Sequence, residues 1–136
     1  MANPEHLDIL KQGVEVWNTW REQNGEVMVD LREADLSEAN LQKAYLGGAN
    51  LQKVDLDRAN LQGAILFWTN LQEADLGAVN LQGANLWKAN LLGVNLAGTN
   101  HLTQAQLNQA CVDEQTKLPE GLTRPKPCPE EELSKK

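Results

Sequence analysis

A leucine stands at every fifth position from Leu31 to Leu96, in fourteen consecutive matches without a gap. A small residue precedes each of these leucines by two positions, and the residue between them is usually Asn or Asp. On a straight α-helix, a period of five would spread the leucines around every side and leave no apolar face. The repeat therefore excludes a long helix and makes a five-residue unit the building block of the fold.

Within each unit, the order of small apolar residue, polar residue and leucine alternates as in a β-strand. The first and third side chains of such a strand share one face, so the small residue and the leucine point the same way. The other two residues must turn the chain, and seven of the ten glycines fall at these two positions. A coil of such strands and turns places every leucine inside, where each contributes about 1.5–3 kcal/mol before the entropy cost.

Tandem A-(D/N)-L-x-x units from Val29 to Gly98 resemble those of the pentapeptide repeat family. The resemblance implies an all-β solenoid, a right-handed quadrilateral parallel β-helix with four pentapeptides to a coil and about four coils in this chain. The flanking segments look like those of a cyanobacterial group in the family that carries capping helices. We therefore expect an N-terminal α-helix and a short C-terminal helical or irregular segment to cap the coils.

Residues 1–26 are predicted to form the N-terminal cap. Pro4 suits the first position of a helix, and the apolar residues that follow recur at helical spacing. We expect one amphipathic helix from about Pro4 to Glu22, which Asn24-Gly25 ends. Such a helix covers backbone and leucines that a solenoid would otherwise leave exposed at its first coil.

The β-helix is predicted over residues 27–112. Its register slips by one residue after Asn100, and the run from Thr103 to Gln106 matches a capping box that opens a short helix. We expect one degenerate partial coil that ends in a helical turn. Residues 113–136 hold four of the five prolines, which predicts an irregular strap followed by a solvated tail.

Charge and hydropathy limit the classes of partner. The chain has 12 Lys and Arg against 19 Asp and Glu, for a formal net charge of -7, which disfavours binding to nucleic acid. The first residues show no basic segment followed by an apolar run, and no apolar stretch is long enough to span a membrane. We therefore expect a cytoplasmic protein with neither a nucleic-acid nor a membrane partner.

Two cysteines, Cys111 and Cys128, lie in the C-terminal part of the chain. A reducing cytosol would keep them as free thiols, whereas the stiff proline-rich stretch around Cys128 could fold back and form a disulfide with Cys111. In the chain-entropy model such a bridge would stabilise the fold by roughly 3 kcal/mol. The sequence leaves both alternatives open.

Catalysis needs converging groups, and this sequence offers few. The two histidines, His6 and His101, fall at opposite ends of the repeat, and the two serines are Ser37 and Ser134. There is no CxxC or HExxH motif and no glycine-rich phosphate loop. We expect no enzyme, no catalytic residue and no cofactor.

If residues twenty apart stack, Asp35, Asp55 and Asp75 form a column of like charges. The column could hold a divalent cation, or Asp could simply replace Asn at a position that backbone N–H groups stabilise. The second alternative needs no ligand, and we predict no metal site. A neighbouring pair, Glu38 and Arg58, is predicted to bridge adjacent coils.

The same stacking gathers five apolar side chains on the fourth face. Tyr45 and Ile65 replace the usual Asn or Asp, and three further residues follow their leucines; the full set is Tyr45, Ile65, Phe67, Trp68 and Trp87. The repeat requires nothing apolar there, and a patch of this composition usually marks an interface. A protein partner, a second copy of the chain, the C-terminal strap or the N-terminal helix could cover it.

Two functions are compatible with these features. The first is a non-catalytic rigid module that binds a protein partner or forms a homodimer through the aromatic face. The second follows from the resemblance, since some members of the family mimic DNA and inhibit or protect a type II topoisomerase such as gyrase. Between Val29 and Gly98 there are only eight acids against five bases, which favours the first function.

Overall fold

The computed structural model describes residues 1–126 and 128. Helix α1 spans Pro4–Lys11, α2 spans Val14–Gln23 and α3 spans Gln104–Gln109. Between α2 and α3 the chain forms a β-helix in which each strand contributes one bridging residue, and every bridge is parallel. No helix in this part of the chain is long and apolar enough to cross a membrane. The expected solvated tail, from residue 130 onward, lies outside the described residues.

The bridges follow four ladders, and each ladder is one face of the coil. Hydrogen bonds run in both directions between coils: Leu31 N–H donates to the carbonyl of Asn50, and Asn50 N–H donates to that of Val29, both at 2.9 Å. We name the faces in chain order. Face A carries Asp30, Asn50, Asn70 and Asn90; face B carries Asp35, Asp55, Asp75 and Asn95; face C carries Asn40, Asn60, Asn80 and Asn100; face D carries Tyr45, Ile65 and Asn85.

The two residues after each leucine form a corner, named by the faces it joins. At corner A/B, Ala34 N–H donates to the carbonyl of Leu31 at 3.1 Å, and Glu33 between them has a φ of 63°. Positive φ at the third residue is the mark of a type II turn. At most corners a residue other than glycine adopts this positive φ, which is strained for an L-amino acid. The hydrogen bonds between coils and the buried leucines must offset that strain.

The interior is a column of leucines, as the period of five predicts. All fourteen repeat leucines are buried, and Leu61 in a middle coil is fully inaccessible. The Asn or Asp at the centre of each strand bonds its own corner: Asn60 Oδ1 accepts the N–H of Gln62 at 3.0 Å. This local bond explains why the repeat prefers these two residue types, since both place an oxygen two residues before a turn N–H.

The N-terminal segment folds as two helices, and the single helix expected from Pro4 to Glu22 is wrong. The chain leaves α1 at Gln12, and Gly13 has a φ of 116°, a conformation that only glycine adopts readily. The two helices contact each other and bury one face against the first coil.

Residues of this segment form hydrogen bonds with the open edge of the first coil. Asn3 N–H donates to the carbonyl of Asp30 at 2.9 Å, and the Nδ1 atom of buried His6 accepts the N–H of Asp30 at 3.1 Å. On face D, Trp17 Nε1 donates to the carbonyl of Tyr45 at 2.8 Å. Edge groups on two faces are thereby satisfied by helix residues.

Helix α3 begins with the capping box expected at Thr103, which is confirmed. The helix stands above face D, where the amide of Gln106 donates to the carbonyls of Leu81 and Ala84. The sequence pattern predicts that the last coil ends in this helical turn, but two further bridges follow α3. Cys111 pairs with Asn90 and Lys117 with Asn95, at spacings one and two residues longer than in the coils below.

Candidate interaction surface

The five side chains that the stacking gathered occupy face D and the adjoining corner D/A. Tyr45 bridges Ile65 along the ladder, and Ile65 bridges Asn85 in the next coil. We call Tyr45, Ile65, Phe67, Trp68 and Trp87 the aromatic patch. The backbone thus places all five on one side of the β-helix.

Three rings of the aromatic patch are open to solvent. Tyr45 is 39% exposed, Phe67 41% and Trp87 47%, whereas Ile65 and Trp68 are half-buried. Neither the N-terminal helices nor the described part of the C-terminal strap covers these rings. Exposed aromatic rings are costly to leave in water, so a patch of this kind favours an interface.

The rings are held in place by their neighbours. Trp68 and Trp87 meet edge to face, with ring centroids 5.7 Å apart, and Phe67 rests on Gly47 in the coil below. The Nζ atom of Lys88 lies 5.7 Å from the Trp87 ring centroid, which is within cation–π range. These contacts within the chain fix the orientation of the aromatic rings.

Apolar residues on face D give up a local hydrogen bond. Asn85, at the equivalent strand position, uses its Oδ1 atom to accept the N–H of Trp87 at 3.1 Å. Tyr45 and Ile65 have no side-chain atom that could do the same two residues on. A hydrogen bond of this type is worth about 1 kcal/mol, so the coil gains nothing evident from the exchange.

The patch opens at one end into a cleft of about 470 Å³. Its floor is Tyr45, Gly47, Ile65 and Phe67, and its wall comes from the end of α2, where Arg21 and Glu22 lie. The sequence did not predict this wall of the cleft, because α2 reaches face D through long-range packing that the five-residue repeat does not encode. The cleft therefore extends the aromatic patch toward the N-terminal helices.

Arg21 is held rigidly at that wall. Its guanidinium donates to the carbonyl of Asn24 at 2.8 Å and to that of Val27 at 3.2 Å, and it lies 5.8 Å from the Trp20 ring centroid. Burial lowers the pKa of Arg21 below its ordinary value. Its Nη1 atom is thus engaged within the chain, and the bonded side chain forms part of the wall of the cleft.

The aspartate column on face B uses its oxygens locally. Asp55 Oδ1 accepts the N–H of Asp57 at 3.0 Å, and Asp35 Oδ1 accepts the hydroxyl and N–H of Ser37. The hydrogen bonds from Ser37 lower the pKa of Asp35. Within residues 1–126 and 128, no group of three or more His, Cys, Asp or Glu side chains is arranged to hold a metal ion.

The remaining residues singled out in the sequence have structural environments. His6 bonds the edge of the first coil, and His101 is an exposed corner residue with a φ of 64°. Cys111 and Cys128 are joined by a disulfide, with Cα atoms 5.2 Å apart. Arg58 contacts Glu38 in the coil below at 3.3 Å, which confirms that predicted pair.

Comparisons with known proteins agree with this architecture. The family model of pentapeptide repeats matches eight copies, over residues 30–66 and 69–112. Among solved structures, the chain is similar to Rfr23, a pentapeptide repeat protein of the cyanobacterium Cyanothece 51142, at 37% identity and a TM-score of 0.57. That match covers 64% of this chain and 58% of Rfr23, so the chain spans a little over half the length of that relative.

Two other pentapeptide repeat proteins are similar at lower scores. One is alr5209 from Nostoc PCC 7120, at 28% identity and a TM-score of 0.37, with 77% of this chain and 86% of that chain covered. The other comes from the Arabidopsis thaliana thylakoid lumen, at 27% identity and a TM-score of 0.27, with 66% and 58% covered. No curated protein matches the sequence. On the repeat, its family match and the parallel ladders, the chain belongs to the pentapeptide repeat family and folds as a right-handed β-helix solenoid.

Proposed function

We propose that this protein is a non-catalytic interaction module, a quadrilateral rod of about four coils that presents the aromatic patch to a protein partner. The N-terminal helices and the C-terminal segment act as its caps. One observation carries the proposal: Tyr45, Phe67 and Trp87 are each about two-fifths exposed or more, at positions where the repeat requires nothing apolar.

The chemistry of the patch suits a protein partner. Aromatic side chains supply most of the binding energy in interface hot spots, because each buries a large area at little cost in side-chain entropy. A rigid scaffold lowers the cost of association further, and here the central strand of face D, at Ile65, is bridged to the coil on either side. The partner can be another protein or a second copy of this chain, and both are versions of the same proposal.

DNA mimicry has less support in the distribution of charge. A mimic would need rows of unpartnered acids, whereas several acids here face bases. Arg32 contacts Asp30 at 2.8 Å, and Lys53 contacts Glu73 at 3.9 Å. We therefore expect no effect of the protein on DNA supercoiling by gyrase.

The test is the double variant Phe67→Glu with Trp87→Glu. Both side chains are exposed, so the variant should fold, and we expect it to lose the partner that the parent captures from a lysate of the native cell. Sedimentation of both proteins separates the two kinds of partner, since a parent dimer that becomes a folded monomer identifies a second copy.

The matched control is Val16→Glu with Met28→Glu. These two apolar residues are 43% and 69% exposed, and neither belongs to the aromatic patch or lines its cleft. The control should keep both the partner and the oligomeric state of the parent. Equal capture by the parent and the patch variant would contradict the proposal.

A further inference from the structure

We propose that the first coil holds a second docking site, where an extended segment of a partner protein adds one parallel β-strand. The site is the edge of faces B and C that is turned toward the N-terminal helices, from Asp35 to Gln42, and we call it the B/C edge. It consists of backbone groups and lies apart from the aromatic patch. The inference therefore goes beyond the proposed function and does not depend on it.

On faces B and C, six backbone groups hold the second coil to the first. Two are N–H groups that donate at 2.9 Å, and four are carbonyls that accept at 2.8–2.9 Å. The N–H groups belong to Asp55 and Asn60, and the carbonyls belong to Asp55, Asp57, Asn60 and Gln62. A parallel ladder repeats such a set from strand to strand. A strand below the first coil would therefore bond the same six groups twenty residues earlier.

Those six groups of the first coil are all unpaired. They are the N–H groups of Asp35 and Asn40 and the carbonyls of Asp35, Ser37, Asn40 and Gln42, and nothing within residues 1–126 and 128 bonds them. Asp35 and Asn40 are also exposed. A row of unpaired N–H and C=O groups is a template for a further strand, and here its spacing is already that of a parallel ladder.

The N-terminal helices cover the same edge on the other two faces. On face A, the N–H and the carbonyl of Asp30 are both bonded by residues of the cap, and on face D the same holds for Tyr45. The two faces left uncovered are neighbours. Their unpaired groups thus form one continuous site rather than scattered gaps.

Two clefts along the B/C edge leave room for a strand. One, of about 370 Å³, is lined by Asp35, Ser37 and Asn40, and the other, of about 560 Å³, by Asn40 and Gln42. The turn between α1 and α2 lines both clefts on the opposite side, where they share Gly13. Clefts of this size are typical of binding sites. Each residue that supplies an unpaired group at the B/C edge therefore faces open space.

The cap limits the partner to a single strand with small inward side chains. A helix is about 10 Å wide and coils are about 4.8 Å apart, so a complete coil of a second copy cannot stack beneath the first. Leu10 is buried at 3% exposure and lines the first cleft together with Leu36 and Leu41. Because Leu10 already occupies the inner side, the inward residues of the partner must be Ala, Gly or Ser.

The charges around the clefts favour a peptide over a polyanion. Two bases and two acids line them, namely Lys11, Lys43, Glu15 and Asp35. A row of phosphates would meet both carboxylates and would offer no N–H groups to the four free carbonyls. A peptide backbone supplies donors and acceptors in the alternation that the B/C edge needs, so main-chain hydrogen bonds provide most of the affinity.

The test is selection of a random dodecapeptide display library on the immobilised full-length variant Phe67→Ala with Trp87→Ala, which removes two exposed rings of the aromatic patch. We expect enrichment of Ala, Gly and Ser at alternate positions. The selected peptides should bind the variant and the parent equally well in fluorescence anisotropy, because the B/C edge is the same in both.

Hydrogen exchange and methylated peptides then test for an added strand. On binding, the amide protons of Asp35 and Asn40 should become protected, whereas that of Asp30, already bonded within the chain, should not change. Methylation of a peptide nitrogen that points at the edge should weaken binding about tenfold or more, because it removes a donor and adds bulk. Methylation of the next nitrogen, which points away, should weaken it less than about threefold.

The protein variant is Asn40→Pro, with Asn40→Ala as its matched control. Both lose the hydrogen bond from the N–H of Gln42 to the Asn40 side chain, but only proline removes the edge N–H and places its ring there. We expect the proline variant to bind the selected peptides at least about tenfold more weakly and the alanine variant to stay within about twofold of the parent. Thermal melts check the fold of both. If the proline variant does not fold, the methylated peptides test the same hydrogen bonds on the parent.

Each outcome decides the inference separately from the proposed function. No enrichment would overturn it, and so would peptides that tolerate both Asn40→Pro and methylation at every nitrogen. A parent dimer that Asn40→Pro converts to a monomer would place a second copy on the B/C edge and also overturn it. Phe67→Glu with Trp87→Glu leaves the B/C edge intact, so loss of its partner without any peptide at the B/C edge would support the interaction module alone.

Discussion

The phenyl ring of Phe67 rests on Gly47 of the coil below, so closely that no side chain fits between them. A Cβ atom at residue 47 would lie 2.6 Å from Cε1 of Phe67 and 3.0 Å from Cζ. Because Gly47 does not have a positive φ, space rather than backbone strain makes glycine necessary there. Gly47 therefore sets the position of the ring that joins the cleft to the rest of the aromatic patch.

We predict that Gly47→Val displaces Phe67 while the β-helix stays folded. The valine side chain would occupy the space of the ring, which must rotate outward and open the cleft. In NMR spectra, contacts between Phe67 ring protons and the backbone of residue 47 should disappear, and the melting temperature should fall by only a few degrees.

The matched control for that variant is Gly98→Val. A Cβ atom at residue 98 would lie 3.5 Å from the nitrogen of Ala78, which is an ordinary contact, and Gly98 also lacks a positive φ. Phe67 should keep its resonances in this variant. Unchanged Phe67 contacts in Gly47→Val would show that the ring does not depend on the glycine.

The burial of the repeat leucines and the face that carries the aromatic patch could both be predicted from the sequence alone. The period of five and the alternation within each unit predict that Leu61 and its equivalents point inward, and all of them are buried. With twenty residues to a coil, Tyr45 and Ile65 must stack, as they do. Both results depend on contacts that recur from coil to coil, so the sequence pattern that specifies them is repeated several times along the chain.

Features that occur once could not be predicted in the same way. Apolar residues keep helical spacing across Gly13, so the sequence does not show that α1 ends and α2 begins there. The wall of the cleft depends on where α2 packs, and Trp17 reaches face D only through a contact with Tyr45 twenty-eight residues along the chain. The bridges of Cys111 and Lys117 break the five-residue spacing, because α3 stands in place of a strand on face D.

We predict that Leu61→Lys unfolds the protein. Leu61 is fully buried in a column of leucines, and an ammonium group there would lose its hydration with no carboxylate nearby. The cost should exceed about 4 kcal/mol, which is a large share of the stability of a domain of this size. Far-UV circular dichroism and thermal melting would show the loss of cooperative unfolding.

The control for the buried lysine is Leu92→Lys. Leu92 occupies a corner rather than the inward column and is only partly buried, so its replacement can extend into water. This variant should melt close to the parent. A parent-like melt of Leu61→Lys would mean that the leucines do not point inward.

We predict that reductant lowers the melting temperature modestly and leaves the β-helix spectrum in place. The disulfide from Cys111 to Cys128 closes a loop at the C-terminal end of the β-helix, with a sequence separation of 17, for which the chain-entropy model assigns roughly 3 kcal/mol. The strap keeps other contacts, since Thr123 and Gln104 exchange two hydrogen bonds of 2.9 Å. Cys128→Ser should reproduce the effect of reductant, and collapse of the whole fold would show that the coils depend on the strap.

The last prediction concerns Asp113, which joins the strap to corner A/B. Its Oδ1 atom accepts the N–H groups of Gly93 at 3.2 Å, Gln115 at 3.0 Å and Thr116 at 3.1 Å. Burial raises the pKa of this carboxyl, but the hydrogen bonds from Gly93, Thr116 and Gln115 outweigh it and lower the pKa below its ordinary 3.8. The carboxylate therefore stabilises the folded chain only while it is ionised.

We predict that Asp113→Asn destabilises the protein by about 1 kcal/mol at pH 7, since an amide oxygen accepts these bonds more weakly than a carboxylate. A lowered folded pKa means that the stabilisation is complete above the unfolded pKa and is lost as the pH falls through the folded value. Thermal melts from pH 7 to pH 2 should therefore show the curves of parent and variant converging below about pH 4. Glu114→Gln, beside it and outside this set of bonds, is the control at pH 7 and should melt like the parent there. A difference between parent and Asp113→Asn that stays constant down to pH 2 would show that the carboxylate charge is not what ties the strap to Gly93.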